Sequence, residues 1–314
     1  MSRRRIDDGA MTGGDSLLMV FLDGVGIGED DPEINPFVRA RGLVPTLHEL
    51  TGGLPTLDQP SAAGTLGRAF PLDARLDVDG TPQSGTGQVA LLTGASAAEM
   101  HGRHFGPWTP VNLRPLVEER SILKRAVDAA LPTAFANAYP RGWPGPRGSR
   151  RVAGPPLAAR GAGLLVRHEE DLGRGEAVSS EIVNDGWQKH LGHDWLPDIT
   201  EVEAGHNLAG IANQNRLTLY AHYATDTVGH RGSMEDAVEQ IRRVDRFLTG
   251  VLERIHDDTT LLVVSDHGNL EDVRGGHTHN PVLGIAAGPG ADGAAEQLSD
   301  LREVSDFIEA HIGL

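Results

Sequence analysis

The clearest pattern in the chain is a set of short apolar runs, each of which leads to an acidic residue. The run LLMVFL stops at Asp23, LTLYAHYA leads to Asp226, and TTLLVV is followed by Ser265 and Asp266. Uninterrupted apolar runs of this length are typical of buried strands in a parallel sheet. Open α/β sheets bind their ligands at the carboxyl ends of such strands. We therefore expect the three carboxylates to meet at one edge of a sheet.

A helical pattern lies between the second and third of these runs. From Ser233 to Ile255 the apolar residues recur every three or four positions, and the segment opens with a Ser-x-x-Asp capping pattern. Strand, helix and strand in this order form the unit of a parallel sheet. The stretch from Pro281 to Gly290 predicts a further strand, and SDLREVSDFIEAHIGL predicts a closing helix. The pattern favours the α/β fold class.

Composition narrows the possible partners. The 314 residues carry a net charge of −16 and no cysteine, so thiolate ligands and disulfides are excluded. Such acidity repels nucleic acid and anionic membranes, and we expect neither as a partner. The basic start of the chain lacks an apolar signal region, and no apolar span reaches about 18 residues. We expect a cytoplasmic protein with a flexible arm over residues 1–14; the sequence does not indicate an oligomeric state.

Histidines accompany two of the three acidic residues and suggest metal binding. His230 follows Asp226 by four positions, His267 is adjacent to Asp266, and His277 lies in a glycine-rich loop further on. Mixed carboxylate and imidazole ligands suit zinc or manganese better than calcium. Each motif alone is more often a turn, a cap or a solvated histidine. Their joint occurrence at the ends of three strands predicts a metal centre.

A hydroxyl nucleophile is the remaining requirement of such a centre. The segment GTPQSGTGQVALLTG places Ser84 and Thr86 among glycines at the start of an apolar helix. The amino end of a helix can hold an anion, and a hydroxyl exposed there can attack phosphorus. Serine and threonine are also the preferred helix N-caps, and the local pattern by itself favours a cap.

These motifs together resemble the metal-dependent branch of the alkaline phosphatase superfamily, in particular the cofactor-independent phosphoglycerate mutases and the phosphopentomutases. LDGVG, QSGTGQ, TDTVGHRG and SDHGN with GHTHNPV occur in the family's order. The resemblance selects Ser84 over Thr86 as nucleophile. It implies a three-layer α/β/α sandwich with a mostly parallel central sheet. One departure is Gln88, since the family's motif usually continues Gly-His at this point.

The resemblance also implies a two-metal phosphoryl transfer on a small phosphorylated metabolite. Two divalent ions, manganese or zinc, would lie about 4 Å apart, and Ser84 would form a phosphoserine intermediate. The alternatives are a non-catalytic homologue that binds a phosphorylated ligand, and a phosphoglycerate mutase proper. The implied ligands are Asp226, His230 and His277 for one ion, and Asp23, Asp266, His267 and Ser84 for the other.

The middle of the chain differs in amino-acid composition from both ends. We expect a discontinuous catalytic core over residues 15–106 and 206–314, interrupted by a small inserted cap at 107–205. The segment from Pro140 to Pro156 is rich in proline, glycine and arginine, which predicts an exposed loop or a substrate-facing flap; the alternative is a solvated hinge. Guanidinium groups match phosphate geometry. The candidate substrate-binding residues are Arg141, Arg147, Arg150 and Arg151.

Overall fold

A computed structural model describes residues 16–145 and 151–314. Its sheet has seven strands in the order β2-β3-β7-β6-β1-β5-β4. The strands are β1 Ser16–Leu22, β2 Ala62–Ala63, β3 Gly67–Leu72, β4 Thr133–Phe135, β5 Leu217–His222, β6 Thr259–Val264 and β7 Val282–Ala287. Strands β4, β5, β1 and β6 run parallel, whereas β7, β3 and β2 complete the sheet with antiparallel pairings.

The apolar runs of the sequence form the centre of this sheet. Strand β1 lies between β5 and β6, with Leu17 opposite Leu217 and Thr260 in register. All residues of β5 and β6 are buried. Because the three strands are parallel and adjacent, their carboxyl ends reach the same edge. This arrangement brings the segments that begin at Asp23, Tyr223 and Ser265 together.

Helices cover both faces of the sheet. The alternation of side chains along β1 shows the two layers, since Leu17, Met19 and Phe21 enter one apolar core and Leu18 and Val20 enter the other. No helix within the two described ranges is long and apolar enough to cross a membrane. The helices described are α1 Pro36–Arg39, α2 Pro45–Thr51, α3 Ser84–Thr93, α4 Ala97–His101, α5 Arg114–Arg120, α6 Ile122–Asp128, α7 Gly154–Gly161, α8 Glu169–Gly173, α9 Asp185–Leu191, α10 Glu201–Ala212, α11 Ala224–Arg231, α12 Met234–Arg254, α13 Ala291–Gln297 and α14 Glu303–Ile312.

The three-layer fold and the main helical predictions are confirmed. Helix α12 begins after Ser233, whose hydroxyl accepts a hydrogen bond from the Asp236 amide while the Asp236 carboxylate accepts from the Ser233 amide. This reciprocal cap is the one that the Ser-x-x-Asp pattern predicts. The predicted strand after Pro281 and the closing helix are β7 and α14.

The segment 107–205, predicted as an inserted cap, contributes to the main layers of the fold. Strand β4 pairs with β5 in the central sheet, and helices α5, α6 and α7 contribute buried residues to the main core. This part of the segment is therefore an integral layer of the fold. The proline- and glycine-rich stretch conceals the apolar periodicity on either side of it, which is why the sequence suggested an insertion. The predicted arm at residues 1–14 lies outside the described residues.

Candidate metal centre

One group of possible ligands is buried at the ends of β1 and β6. Asp23 follows β1, whereas Asp266 and His267 follow β6 after Ser265. The His267 Nε2 atom lies 3.2 Å from Asp23 Oδ1 and 3.8 Å from Asp266 Oδ1. Ligand atoms of these three residues all lie within 4.8 Å of one another. We call Asp23, Asp266 and His267 the inner group.

A second group is more exposed and lies on α11 and the glycine-rich loop. Asp226 and His230 are one helical turn apart on α11, so both side chains project from one face. The Asp226 Oδ1 atom lies 3.4 Å from His230 Nε2 and 3.5 Å from His277 Nε2. We call Asp226, His230 and His277 the outer group. The two groups adjoin, since His267 Nε2 is 3.9 Å from Asp226 Oδ1.

A glycine at the turn after β1 makes this convergence possible. Gly24 has a φ of +68°, and a Cβ atom at this position would lie 2.7 Å from Asp226 Oδ1. Any other residue would strain the backbone and push Asp226 away. In the DG pair of the first motif, Asp23 therefore supplies one carboxylate, and Gly24 leaves the space that the Asp226 carboxylate occupies.

The imidazole rings are oriented as metal ligands are. His267 Nδ1 donates to the Gly268 carbonyl oxygen, and His277 Nδ1 donates to that of Pro82. Both rings consequently direct Nε2 at the carboxylates. Ligating histidines commonly use one ring nitrogen in this way to fix the orientation of the other. The buried Asp23 Oδ1 atom faces His267 Nε2 at 3.2 Å but outside good hydrogen-bond geometry, and a cation between the two residues would satisfy it. The residues present thus fit divalent metal ions.

The electrostatics of the cluster favour added positive charge. Burial, together with the charge of Asp266, raises the pKa of Asp23 well above its ordinary value. Burial opposes the charged form of His267, but the carboxylates of Asp266 and Asp23 outweigh it and raise the His267 pKa to about 10. A proton on His267 therefore offsets part of the negative charge. Bound divalent cations would meet the same need and displace such protons.

Ser84 is the hydroxyl that contacts this cluster. It is the first residue of α3, is 2% exposed, and its Oγ atom lies 2.9 Å from His267 Nε2. The N-cap of α3 is Gln83, and no side chain caps the helix. The capping role that local sequence favoured is therefore wrong for Ser84. The Thr86 hydroxyl instead contacts the Gln83 carbonyl oxygen and the Phe105 amide.

Gln88 supports the inner group, a role that the sequence did not reveal. Its Nε2 atom donates to Asp266 Oδ2 at 2.9 Å, and its Oε1 atom accepts from the Gly154 amide at 2.8 Å. The Gly154 amide can only donate, so the side-chain nitrogen of Gln88 must face Asp266. The other Asp266 oxygen accepts from the Gly24 amide at 3.2 Å. Gln88 thereby joins the inner group to the first residue of α7.

Glu271 is a carboxylate that holds the loop after β6 and is not in either candidate group. It is fully buried and accepts from the amides of Gly26 and Asn269 and from the side chains of Thr278 and Asn280. With so many donors its oxygens are already occupied. The sequence signal for it was its place just after the SDHGN motif, which does not separate a ligand from an anchor.

A cavity of about 870 Å³ opens over the outer group and Ser84. It is large enough for an ester considerably bigger than inorganic phosphate. Its lining comprises Thr81, Gln83, Ser84, Gly106, Pro107, Trp108, Asp226, Thr227, His230, Arg231 and His277.

The arginines expected to bind substrate do not lie in this cavity where they are described. Arg141 forms ion pairs with Glu170 at 2.7 Å and with Glu169 at 3.7 Å. Neither Arg141 nor Arg151 lines the cavity. Arg147 and Arg150 lie outside the described residues. The predicted clamp is therefore not assembled by the two arginines that the structure describes.

Solved structures show the class of fold. The PH0037 protein from Pyrococcus horikoshii superposes with a TM-score of 0.55 at 14% identity, covering 96% of this chain and 98% of its own. The alkaline phosphatase from the Antarctic bacterium TAB5 superposes with a TM-score of 0.54 at 11% identity, covering 95% and 98%. The chain accordingly has an alkaline-phosphatase-like fold.

Sequence comparison finds a family resemblance in the last part of the chain. Residues 192–311 match the Metalloenzyme superfamily model, and this range contains the whole outer group together with Asp266 and His267. This part of the chain is therefore similar to the Metalloenzyme superfamily. Asp23 and Ser84 precede the matched range and are placed at the site by the fold.

The curated relatives are 2,3-bisphosphoglycerate-independent phosphoglycerate mutases. The protein of Rhodopseudomonas palustris is 33% identical over 120 residues, which are 35% of this chain and 24% of the relative. That of Desulforudis audaxviator is 34% identical over 130 residues, or 39% and 26%. That of Gloeothece citriformis is 45% identical over 65 residues, or 18% and 12%. The matched part of the chain thus spans at most about a quarter of these three relatives.

Proposed function

We propose that the protein is a metal-dependent phosphoryl-transfer enzyme in which Ser84 carries the phosphoryl group between a small phosphorylated metabolite and an acceptor. The observation that carries this proposal is the position of the Ser84 hydroxyl. Ser84 lines the cavity together with the outer group, and its Oγ atom lies 2.9 Å from His267 Nε2 of the inner group. The match of residues 192–311 to the Metalloenzyme superfamily model and the alkaline-phosphatase-like fold support the same reaction class.

Two divalent ions, manganese or zinc, fit the carboxylate and imidazole donors. The outer group would hold one ion, and the inner group with the Ser84 oxygen would hold the other. When bound, such ions act as Lewis acids toward phosphoryl oxygens and lower the pKa of a coordinated hydroxyl. The buried inner residues would keep their places between turnovers because the chain itself orients them.

The reaction consists of two displacements at phosphorus. Ser84 loses its hydroxyl proton to solvent, and Oγ attacks the phosphorus of the ester. The Oγ–P bond forms as the ester P–O bond breaks, and the leaving oxygen takes a proton from water. Water or a second hydroxyl then attacks the phosphorus of the phosphoserine. The Oγ–P bond breaks, the attacking oxygen loses its proton to solvent, and Ser84 Oγ takes a proton from solvent. Water as acceptor makes the protein a phosphatase, whereas an alcohol of the metabolite makes it a mutase.

The start of α3 supports this role for Ser84. Amide groups at a helix N-terminus point outward and favour negative charge, so the helix stabilises the charge that builds on the phosphoryl oxygens. The segment from Phe105 to Trp108 packs against the same turn and bounds the cavity. A phosphoryl group beside Ser84 would therefore meet helix amides on one side and the ligand groups on the other.

Ser84→Ala tests the proposal directly. Metal-loaded wild-type protein is expected to hydrolyse a generic phosphomonoester and to accumulate phosphoserine at position 84, detected by mass spectrometry after acid quench. Ser84→Ala should lose the phosphoserine and at least about 10³-fold in kcat/KM, since the covalent route is removed. The matched control is Ser61→Ala, which removes the hydroxyl of an exposed serine outside the cavity lining and should keep the activity.

Two results would count against the proposal. Equal turnover by wild type and Ser84→Ala would remove Ser84 as nucleophile. Metal binding without turnover of any ester would favour a homologue that only binds a phosphorylated ligand. Interconversion of 2- and 3-phosphoglycerate without net release of phosphate would instead identify a phosphoglycerate mutase, which the curated relatives are.

A further inference from the structure

The cavity has a wall that the phosphoryl-transfer residues do not use, and its chemistry indicates the leaving group. We propose that Arg231 and Trp108 form a leaving-group subsite that selects phosphomonoesters of a flat ring bearing a second negative charge. This inference rests on the proposed function, because it concerns the part of the ester that departs from Ser84. Both side chains line the same cavity as Ser84 and the outer group.

Arg231 is positioned by the helix that carries the outer group. It is the last residue of α11 and lies four positions after Thr227, just as His230 lies four after Asp226. The two pairs form adjacent stripes on one side of the helix, and all four residues line the cavity. A ligand held at Asp226 and His230 would therefore have a guanidinium group beside it.

The charge of Arg231 is available to a ligand. Within residues 16–145 and 151–314 Arg231 forms no ion pair, whereas Arg141 is paired with Glu169 and Glu170. Among the described residues that line the cavity, Arg231 is the only charged one outside the outer group. A protein with a net charge of −16 repels anionic esters in general, so a cation inside the cavity is the feature that attracts them.

Trp108 presents an indole close to the nucleophile. Its side chain is 40% exposed, although its backbone is tightly packed. A Cβ atom on Gly85 would lie 2.2 Å from the Trp108 carbonyl oxygen, so this backbone touches the residue next to Ser84. Phe105 fixes the segment further, since its carbonyl oxygen accepts from the Thr86 amide and its amide donates to the Thr86 hydroxyl. The main chain therefore fixes Trp108 next to the start of α3, and Trp108 lines the same cavity as Ser84.

The two side chains recognise different parts of one molecule. A flat ring stacks on an indole with little loss of conformational freedom, and this contact favours aromatic over aliphatic leaving groups. A carboxylate or a second phosphate on the ring pairs with the guanidinium group in two parallel hydrogen bonds. The leaving group is thus an anionic aromatic or heteroaromatic alcohol.

Four esters distinguish recognition of the flat ring from recognition of the second negative charge. They are phenyl phosphate, 4-carboxyphenyl phosphate, ethyl phosphate and 3-phosphonooxypropanoate. The first two are flat, and the second and fourth carry the extra carboxylate. Because aryl esters are intrinsically more reactive, the quantity compared is the ratio of kcat/KM between wild type and variant for each ester. Metal-loaded wild-type protein, Arg231→Gln and Trp108→Leu are measured on all four.

Arg231→Gln is expected to lower kcat/KM about tenfold or more for the two carboxylate esters, and less than about twofold for the other two. Trp108→Leu should lower it about three- to tenfold for the two aryl esters and leave the aliphatic ones nearly unchanged. Both losses should appear mainly in KM. Arg254→Gln and Trp195→Leu are matched controls, since both residues are exposed and neither lines the cavity.

Different outcomes overturn different statements. If Arg231→Gln lowers turnover of all four esters equally, the guanidinium binds the transferred phosphoryl group and the anionic part of the inference is wrong. If Trp108→Leu affects aryl and aliphatic esters alike, the aromatic part is wrong. If wild type cleaves none of the four esters faster than Ser84→Ala does, the proposed function itself fails.

Discussion

The inner and outer groups contain the same residue types in contrasting environments. Asp23, Asp266 and His267 are all buried, whereas in the outer group the His230 side chain is 41% exposed. The inner residues follow directly from β1 and β6, so their positions are determined by the pairing of two central strands. The outer residues come from a helix and a glycine-rich loop. The difference separates a buried set of possible ligands from a more accessible one.

Burial destabilises the charged carboxylates of the inner group, and surrounding hydrogen bonds offset part of this cost. Both Asp266 oxygens accept hydrogen bonds, from the Gly24 amide and from Gln88. A buried carboxylate without such partners is strongly destabilising. The outer group needs fewer partners because water reaches it. We therefore expect the two groups to respond differently to the same substitution.

The largest difference is expected between Asp266→Asn and Asp226→Asn. At Asp266 the new amide nitrogen would face a donor on either side, so the substitution removes a charge and also disorders the site. We expect kcat/KM to fall roughly 10³-fold, which excess metal does not restore. At Asp226 we expect a fall on the order of 10²-fold that added Mn²⁺ partly reverses.

Activity and bound metal per chain, measured over a range of Mn²⁺ concentrations, check this contrast. Recovery of both variants, or of neither, would show that burial does not distinguish the groups. Circular dichroism of each variant would verify that the fold is retained.

Two buried histidines, one at the end of β5 and one just after β6, provide a second contrast. Carboxylates raise the pKa of His267 against the effect of burial, whereas at His222 burial prevails and lowers the pKa to about 4. His222 ends β5, donates from Nδ1 to the Ser180 carbonyl oxygen and accepts at Nε2 from Gln240. A histidine without acidic neighbours thus remains neutral and structural.

His222 should make the protein less stable in mild acid. Its folded pKa lies below the unfolded value of about 6.5, so the unfolded chain binds the extra proton first. The free energy of unfolding should therefore fall between pH 6.5 and pH 4, by up to about 3 kcal/mol from this residue. His222→Gln can keep both hydrogen bonds and cannot titrate. Urea unfolding of metal-free protein at pH 7.5 and pH 4.5 should show a smaller loss for the variant, and an equal loss would contradict the interpretation.

The contrast between the inner and outer groups also explains which residues of the candidate site could be predicted from the sequence. Asp23 and Asp266 were recognisable because apolar runs stop next to them, and the period of the helix joined Asp226 to His230. Strand β4 was missed because its three residues are too few to show a period. Arg141 was predicted to bind substrate, but composition does not reveal that Glu169 and Glu170 lie beside it and form ion pairs with it.

The supporting role of Gln88 was missed for a different reason. It occupies one position in an apolar helix, and only the three-dimensional structure shows that Asp266 and the Gly154 amide lie on either side of it. Residues that support ligands leave no local sequence signal, since their partners are distant in the chain.

Gln88→Glu is the smallest change that should break the inner group while sparing the outer one. Glutamate can still accept from the Gly154 amide, but it directs a second carboxylate at Asp266 in place of a donor. Loss of a residue that supports a ligand lowers metal affinity or activity by roughly 10- to 100-fold. We expect a loss of this size for one of two bound ions, measured by isothermal titration with Mn²⁺. Gln297→Glu, the same change at the end of α13, should bind both ions as the wild type does, and equal affinities in all three proteins would show that Gln88 does not support the inner group.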